Sequence, residues 1–217
     1  MAKVADRYFK LDPWAIIEEG WDEEKSLVSE SIFSLGNEYM GVRGYFEEGC
    51  SAESLLGSYF NGVYEEEPTE GSAYKGIVRK THFMANSVDW LYARIWLDGE
   101  ALDLAFSEVA NFRRSLDMRR GTLTREFDWR CSGGKSLHVR FLRFLDMGNP
   151  EQGFQRLSFT PEDFSGTLRL RIANDFNTVH EGRKKCLWKK DRRGLFDGGA
   201  AGMASTISTG QRIFSGF

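Results

Sequence analysis

Cysteine is scarce in this sequence, and what there is does not pair off. Cys50, Cys131 and Cys186 are odd in number and far apart, so neither a disulfide framework nor a CxxC metal clip is present. His82, His138 and His180 are equally scattered and no HExxH occurs, which argues against a metal centre. No apolar run approaches the roughly 18 residues of a membrane-spanning helix. The opening MAKVADRYFKLDPW holds no apolar signal core, so a cytoplasmic protein is expected. Basic excess is missing too: the formal net charge is −3, whereas a nucleic-acid binder normally shows a basic face. The one basic run, RKKCLWKKDRR (183–193), reads as a solvated loop or an edge strand.

Aromatic residues, by contrast, are plentiful. They make up 14% of the chain, a content that favours β structure and is also met in sugar binders. Most of the patterning has period two. TLTREFDWR (122–130) puts Leu123, Phe127 and Trp129 on one face, with Arg125 the exception on that apolar side. The turn CSGGK follows, and LHVRFLRFL (137–145) returns with Leu137, Val139, Phe141 and Leu145 aligned, which predicts a β-hairpin. A second hairpin is expected over 88–104, turning at Asp98-Gly99. GFQRLSFTP (153–161), GTLRLRIAND (166–175) and SLVSESIFSL (26–35) read as further strands, and TISTGQRIF near the end resembles one. Helical signals are few: one turn within DPWAIIEEGWD (12–22), while 109–121 suits either a helix or a strand. Successive strands joined by Gly- and Asp-rich turns predict a mainly β fold, an antiparallel β-sandwich. The Gly-rich, uncharged end after Gly194 suggests a sandwich truncated near its C-terminal end.

No self-contained active site is legible. FSLGNEYMGVRGYFEEG (33–49) carries Gly36, Gly41, Gly44 and Gly49, but it has neither GxGxxG nor GxxxxGK[ST], so a phosphate loop is not expected. Glycines in an apolar strand mark kinks, bulges or close backbone approach, and Asn37, Arg43 and Glu47 beside them read as structural polar partners or domain-interface contacts. Glycoside chemistry needs carboxylates facing each other across a sugar. Glu47-Glu48 and Glu65-Glu66-Glu67 are sequence neighbours that point apart on a strand, and they read as solvated loop acids. No GxSxG elbow occurs. Tyr45, Tyr59, Phe60, Tyr64, Trp90 and Trp96 could stack on a sugar but read first as core, and Arg113 and Arg114 are expected to pair with Asp117.

Four stretches in order carry a resemblance: SIFSLGNEYMGVRGYFEEG, GSYFNGVYEEEP, FRRSLDMRRGTLTREFDWR and VRFLRFLDM. Together they resemble the amino-terminal domain of glycoside hydrolase family 65, which includes maltose, trehalose and kojibiose phosphorylases. The resemblance runs from about residue 14 to about residue 215. It implies a single β-sandwich domain over 1–217 that precedes a catalytic (α/α)6 barrel absent from this chain. In such enzymes the barrel holds the general-acid Glu and the phosphate site, and inorganic phosphate is a co-substrate. No catalytic, cofactor-binding or metal residue is therefore carried over to any position here, and no cofactor is expected. The chain alone is expected to be inactive. Its expected partners are the barrel of the parent chain, a disaccharide and a second copy in a homodimer, with no nucleic acid or membrane. The rival readings are a stand-alone carbohydrate-binding module and a protein-interaction sandwich.

Overall fold

Alternating side chains bury one face of a strand and wet the other, and that pattern governs most of this chain. The computed structural model describes residues 9–69 and 79–217. In chain order its strands begin with β1 (Phe9–Leu11), β2 (Ala15–Glu19), β3 (Leu35–Gly36), β4 (Met40–Val42), β5 (Ser58–Phe60), β6 (Tyr64–Pro68) and β7 (Lys80–Met84). They continue with β8 (Ala93–Leu97), β9 (Glu100–Ala101), β10 (Glu108–Asp117), β11 (Thr122–Arg130), β12 (Ser136–Leu145), β13 (Gly153–Glu162) and β14 (Leu168–Ile172). The last are β15 (Val179–His180), β16 (Lys185–Cys186), β17 (Trp188–Phe196), β18 (Gly199–Thr206) and β19 (Arg212–Gly216). Two compact units result: the described part of Met1–Leu55 with Tyr92–Ile172, and the described part of Leu56–Leu91 with Ala173–Phe217.

The first unit is an antiparallel sandwich. Its larger sheet has the order β1-β2-β10-β11-β12-β13, and its smaller sheet the order β14-β8-β9. Phe112, Phe127, Trp129, Leu137, Val139 and Phe141 from the larger sheet meet Ile95, Leu97, Leu102, Leu104 and Phe46 in one core. The β11–β12 hairpin and β13 form as their alternation predicts. β8 and β9 turn at Asp98 and Gly99, whose φ values of +50° and +91° are both positive, as a two-residue hairpin turn requires. Residues 109–121, open between helix and strand in the sequence, are extended through Asp117 as β10.

Two local expectations are corrected. Residues 26–35 are not a strand: Ser26–Ile32 form helix α1. The buried residues Ser26, Ser29, Glu30 and Phe33 recur at spacings of three and four, the period of a helix face. The segment 12–22 holds a strand, β2, where a helical turn was expected, because Ala15–Glu19 pair in register with β10.

The second unit contains the β6–β7 hairpin, the short pair β15–β16 and the sheet β17-β18-β19. β17 carries most of the basic run on an exposed edge, as expected. The TISTGQRIF segment is only partly strand: β18 ends at Thr206, the connection spans 207–211, and β19 begins at Arg212. Asn86 staples this unit together. Its Oδ1 accepts from Ser58 N, its Nδ2 donates to Leu56 O and Val179 O, and its carbonyl accepts from Trp188 Nε1 at 2.7 Å.

Candidate functional site: a buried arginine and glutamate network

Register places three arginines on the inward face of the larger sheet of the first unit. Glu18, Arg114, Arg125 and Phe141 form one cross-strand row over β2, β10, β11 and β12. The next row holds Ile16, Leu116, Leu123 and Arg143. The charges thus sit between the main core and a smaller cluster of Phe9, Phe33 and Leu123.

The segment 43–49 carries the partners of these arginines. Arg143 donates to the carbonyls of Tyr45 (3.0 Å) and Arg43 (3.3 Å), and Arg114 donates to the carbonyl of Gly44 (2.9 Å). Arg125 grips both Glu48 oxygens, through Nη1 at 2.6 Å and through Nη2, and its Nη2 also donates to Glu47 Oε2 at 2.9 Å. The Glu47 carbonyl accepts from Arg94 Nη1 and from Ala93 N. A buried loop must satisfy its backbone groups, and here the guanidinium groups of Arg94, Arg114 and Arg143 do so. Arg114 is completed by Glu18, which lies 2.8 Å from Nε and 2.6 Å from Nη2 and also accepts from Ser29 Oγ. Glu30 of α1 accepts from Ser54 Oγ and Leu55 N. The arginines also stack on rings: Arg125 lies 4.0 Å from the Phe46 centroid and 4.4 Å from that of Phe141.

The reading of Glu47 and Glu48 as solvated acids is overturned, since each is only 3% exposed and both bind one guanidinium. Burial works to raise the Glu47 carboxyl, but Arg143 and Arg125 together outweigh it and hold Glu47 below the ordinary carboxylate range. Glu48 is pushed up by its burial, with the Glu47 charge adding to the rise against the pull of Arg125. Glu65 is buried as well, both oxygens accepting from Ser208 N in the second unit. Glu66 pairs with Lys80, and Glu67 receives Arg183. Arg113 and Arg114 do not pair with Asp117: Arg114 takes Glu18, Arg113 lies nearer Glu126, and Asp117 accepts from the amides of Arg119 and Arg120.

The glycine motif has the structural role expected of it. A Cβ on Gly44 would stand 2.8 Å from Phe33 Cβ and 3.0 Å from Glu30 O, so only glycine lets this loop lie against α1. Gly49 has φ +81° and is covered by the Arg94 guanidinium. Asn37 ties the strand to the loop after β12 by donating to Asp146 O and Pro150 O. Arg43 donates to Leu55 O and Ser31 Oγ.

The network leaves little free space. The cavity among Gly44, Tyr45, Glu47, Arg114, Arg125 and Arg143 measures about 10 Å³, room for a single water and far below a sugar pocket. A second, open depression of about 490 Å³ is polar, and its groups largely pair with one another: Arg130 with Glu108, Asn111 with Asp128. The aromatic set is divided between the units: Tyr45 and Trp96 belong to the first, and Tyr59, Phe60, Tyr64 and Trp90 to the second. Among the described residues no three His, Cys, Asp or Glu side chains cluster as metal ligands. Sequence reasoning noticed Arg125 and Arg114 but missed Arg143 and the carboxylates and carbonyls that these arginines bind. Their signal was present, since Arg125 and Arg143 each stand at an apolar position of an alternating strand.

The first unit is thus an antiparallel sandwich with a guanidinium-clamped Gly-rich loop, and comparison with known proteins gives its family. The chain belongs to glycosyl hydrolase family 65, whose N-terminal domain matches residues 16–216. It is similar to the alpha,alpha-trehalose phosphorylase of Thermoanaerobacter brockii, with 31% identity over 81% of this chain and 23% of that protein. It is 33% identical to the maltose phosphorylase of Bacillus subtilis (strain 168), over 68% of this chain and 20% of that protein. A solved structure named "Putative kojibiose phosphorylase from human microbiome" superposes with a TM-score of 0.92 at 37% identity, covering 99% of this chain and 28% of the other. The chain thus spans about a quarter of the length of the relatives it matches.

Proposed function

We propose that this chain is the non-catalytic front domain of a glycoside phosphorylase acting on an α-linked disaccharide. The parent enzyme would cleave its substrate with inorganic phosphate as co-substrate in a barrel domain outside this chain. The observation that carries the reading is the commitment of the inward carboxylates. Glu18, Glu30, Glu47, Glu48, Glu65 and Asp89 are all buried and bonded within the fold, so none is left facing a space where a glycosidic bond could sit. Trehalose, maltose and kojibiose phosphorylases among the similar proteins support the substrate class. The test is to incubate the purified chain with phosphate and maltose, trehalose or kojibiose. The expected result is no sugar 1-phosphate. Product formed in proportion to the amount of pure chain would overturn the reading.

A further inference from the structure

Arg143 reaches the 43–49 loop from β12 with a side chain that is only 2% exposed. Its Nη1 donates to the Tyr45 carbonyl and its Nη2 to that of Arg43, but its Nε–H is buried with no partner among the described residues. A charged donor taken out of water without an acceptor is costly, so an orphan of this kind calls for an explanation. The Glu47 carboxylate has acceptor capacity to match. A carboxylate offers about four lone-pair positions. Arg125 Nη2 takes one on Oε2 at 2.9 Å, and the Glu47 amide supplies a further bond. Oε1 lies 3.5 Å from Arg143 Nη1, beyond the usual hydrogen-bond range. Arg143 and Glu47 both line the cavity of about 10 Å³ beneath the loop.

We propose that this cavity is a binding site for one internal water, which accepts from Arg143 Nε and donates to the Glu47 carboxylate. Size and charge select this occupant. About one water-sized sphere fits in such a volume, and a halide ion is larger. The three inward arginines are already matched by three carboxylates: Arg114 meets Glu18, Arg125 grips Glu48 and Glu47, and Arg143 approaches Glu47. An added anion would face the Glu47 carboxylate, and an added cation would face three guanidinium groups, so the occupant is neutral. A water with an acceptor and a donor contact of this kind is nearly as good as a direct hydrogen bond. It ties Glu47 to β12 in addition to the hold of Arg125 from β11. Its escape requires the 43–49 loop to part from the sheet, so its residence time reports that local opening.

The test uses crystals of the 217-residue chain grown in sodium bromide, together with the same chain in solution. The expected density is a single peak within hydrogen-bond distance of Arg143 Nε and a Glu47 oxygen, with no bromide anomalous signal. In solution, water is expected to show cross-relaxation with the methyl protons of Leu123, which also lines the cavity, and with opposite sign in the laboratory and rotating frames. That sign pattern marks a water that stays bound while the protein tumbles. A cavity without density would overturn the proposal, and an anomalous peak would replace the water with an anion. A peak in the crystal without the solution signal would mean a water held in the crystal only, which also overturns it.

Discussion

Glu18 and Arg114 stand directly opposite each other on the antiparallel strands β2 and β10, and both are almost fully buried. The next strand places Arg125 directly opposite Arg114. Two guanidinium groups facing each other on a buried sheet face would repel, and the fold answers with one acid from β2 and two from the 43–49 loop. Buried ion pairs of this kind are weak evidence of net stabilisation against an apolar alternative, but removing one member leaves an uncompensated charge.

Arg125→Met therefore should destabilise the first unit by about 3–5 kcal/mol, because Glu47 and Glu48 lose the group they share. Urea unfolding followed by far-UV circular dichroism measures it. Adding Glu47→Gln and Glu48→Gln to the same chain should recover a substantial part of the loss. A triple variant no more stable than Arg125→Met would show that the cost lies in lost packing on Phe46 and Phe141 instead.

Gly44→Ala should cost about 1–3 kcal/mol through overpacking, since the new methyl meets the Phe33 Cβ and two backbone carbonyls. Gly41→Ala is the control, because no atom lies within 4 Å of the point its new methyl would occupy. Equal denaturation midpoints for the two variants would contradict the close approach of loop and helix.

The two loop acids should leave opposite marks on the pH profile of stability. The Glu47 carboxyl sits below its ordinary value, so its contribution is full above the unfolded carboxylate range and is lost as pH falls through the folded value. Glu48 sits above its ordinary value, so the native state holds that proton more tightly and loses stability as pH rises through the interval between the unfolded and folded values. Glu47→Gln should flatten the acid limb of a plot of unfolding free energy against pH. Glu48→Gln should flatten the decline above the ordinary carboxylate range. Identical profiles for the two variants would refute the division of roles.

Burial pushes the Cys50 and Cys131 thiols up to about 11 each. Since the thiolate is the nucleophile, both should react slowly with iodoacetamide at pH 8 and speed up sharply in urea. Peptide mass spectrometry of timed samples reads each site separately. Rapid labelling of either cysteine in the native chain would count against its placement beside the core.

Much of the first unit was legible because a strand side chain has only two directions. Once Leu123, Phe127 and Trp129 are set inward, Arg125 must point inward too, and the alternation in 137–145 does the same to Arg143. The misread helix α1 shows the limit of that argument. SLVSESI has few apolar residues, and its buried face is made of Ser26, Ser29 and Glu30, which hydropathy does not mark as core.

The amino-acid sequence by itself determined the β11–β12 hairpin, β13, β14, the Asp98-Gly99 turn and the need for glycine in the 33–49 segment, because side-chain alternation and backbone freedom are local properties. Only the tertiary structure decided what the acids do. Glu48 and Arg125 lie 77 residues apart, and nothing near Glu47-Glu48 in the chain announces that a guanidinium from β11 will take both carboxylates out of water. Charge and burial are settled by partners, and partners are chosen by strand order and register.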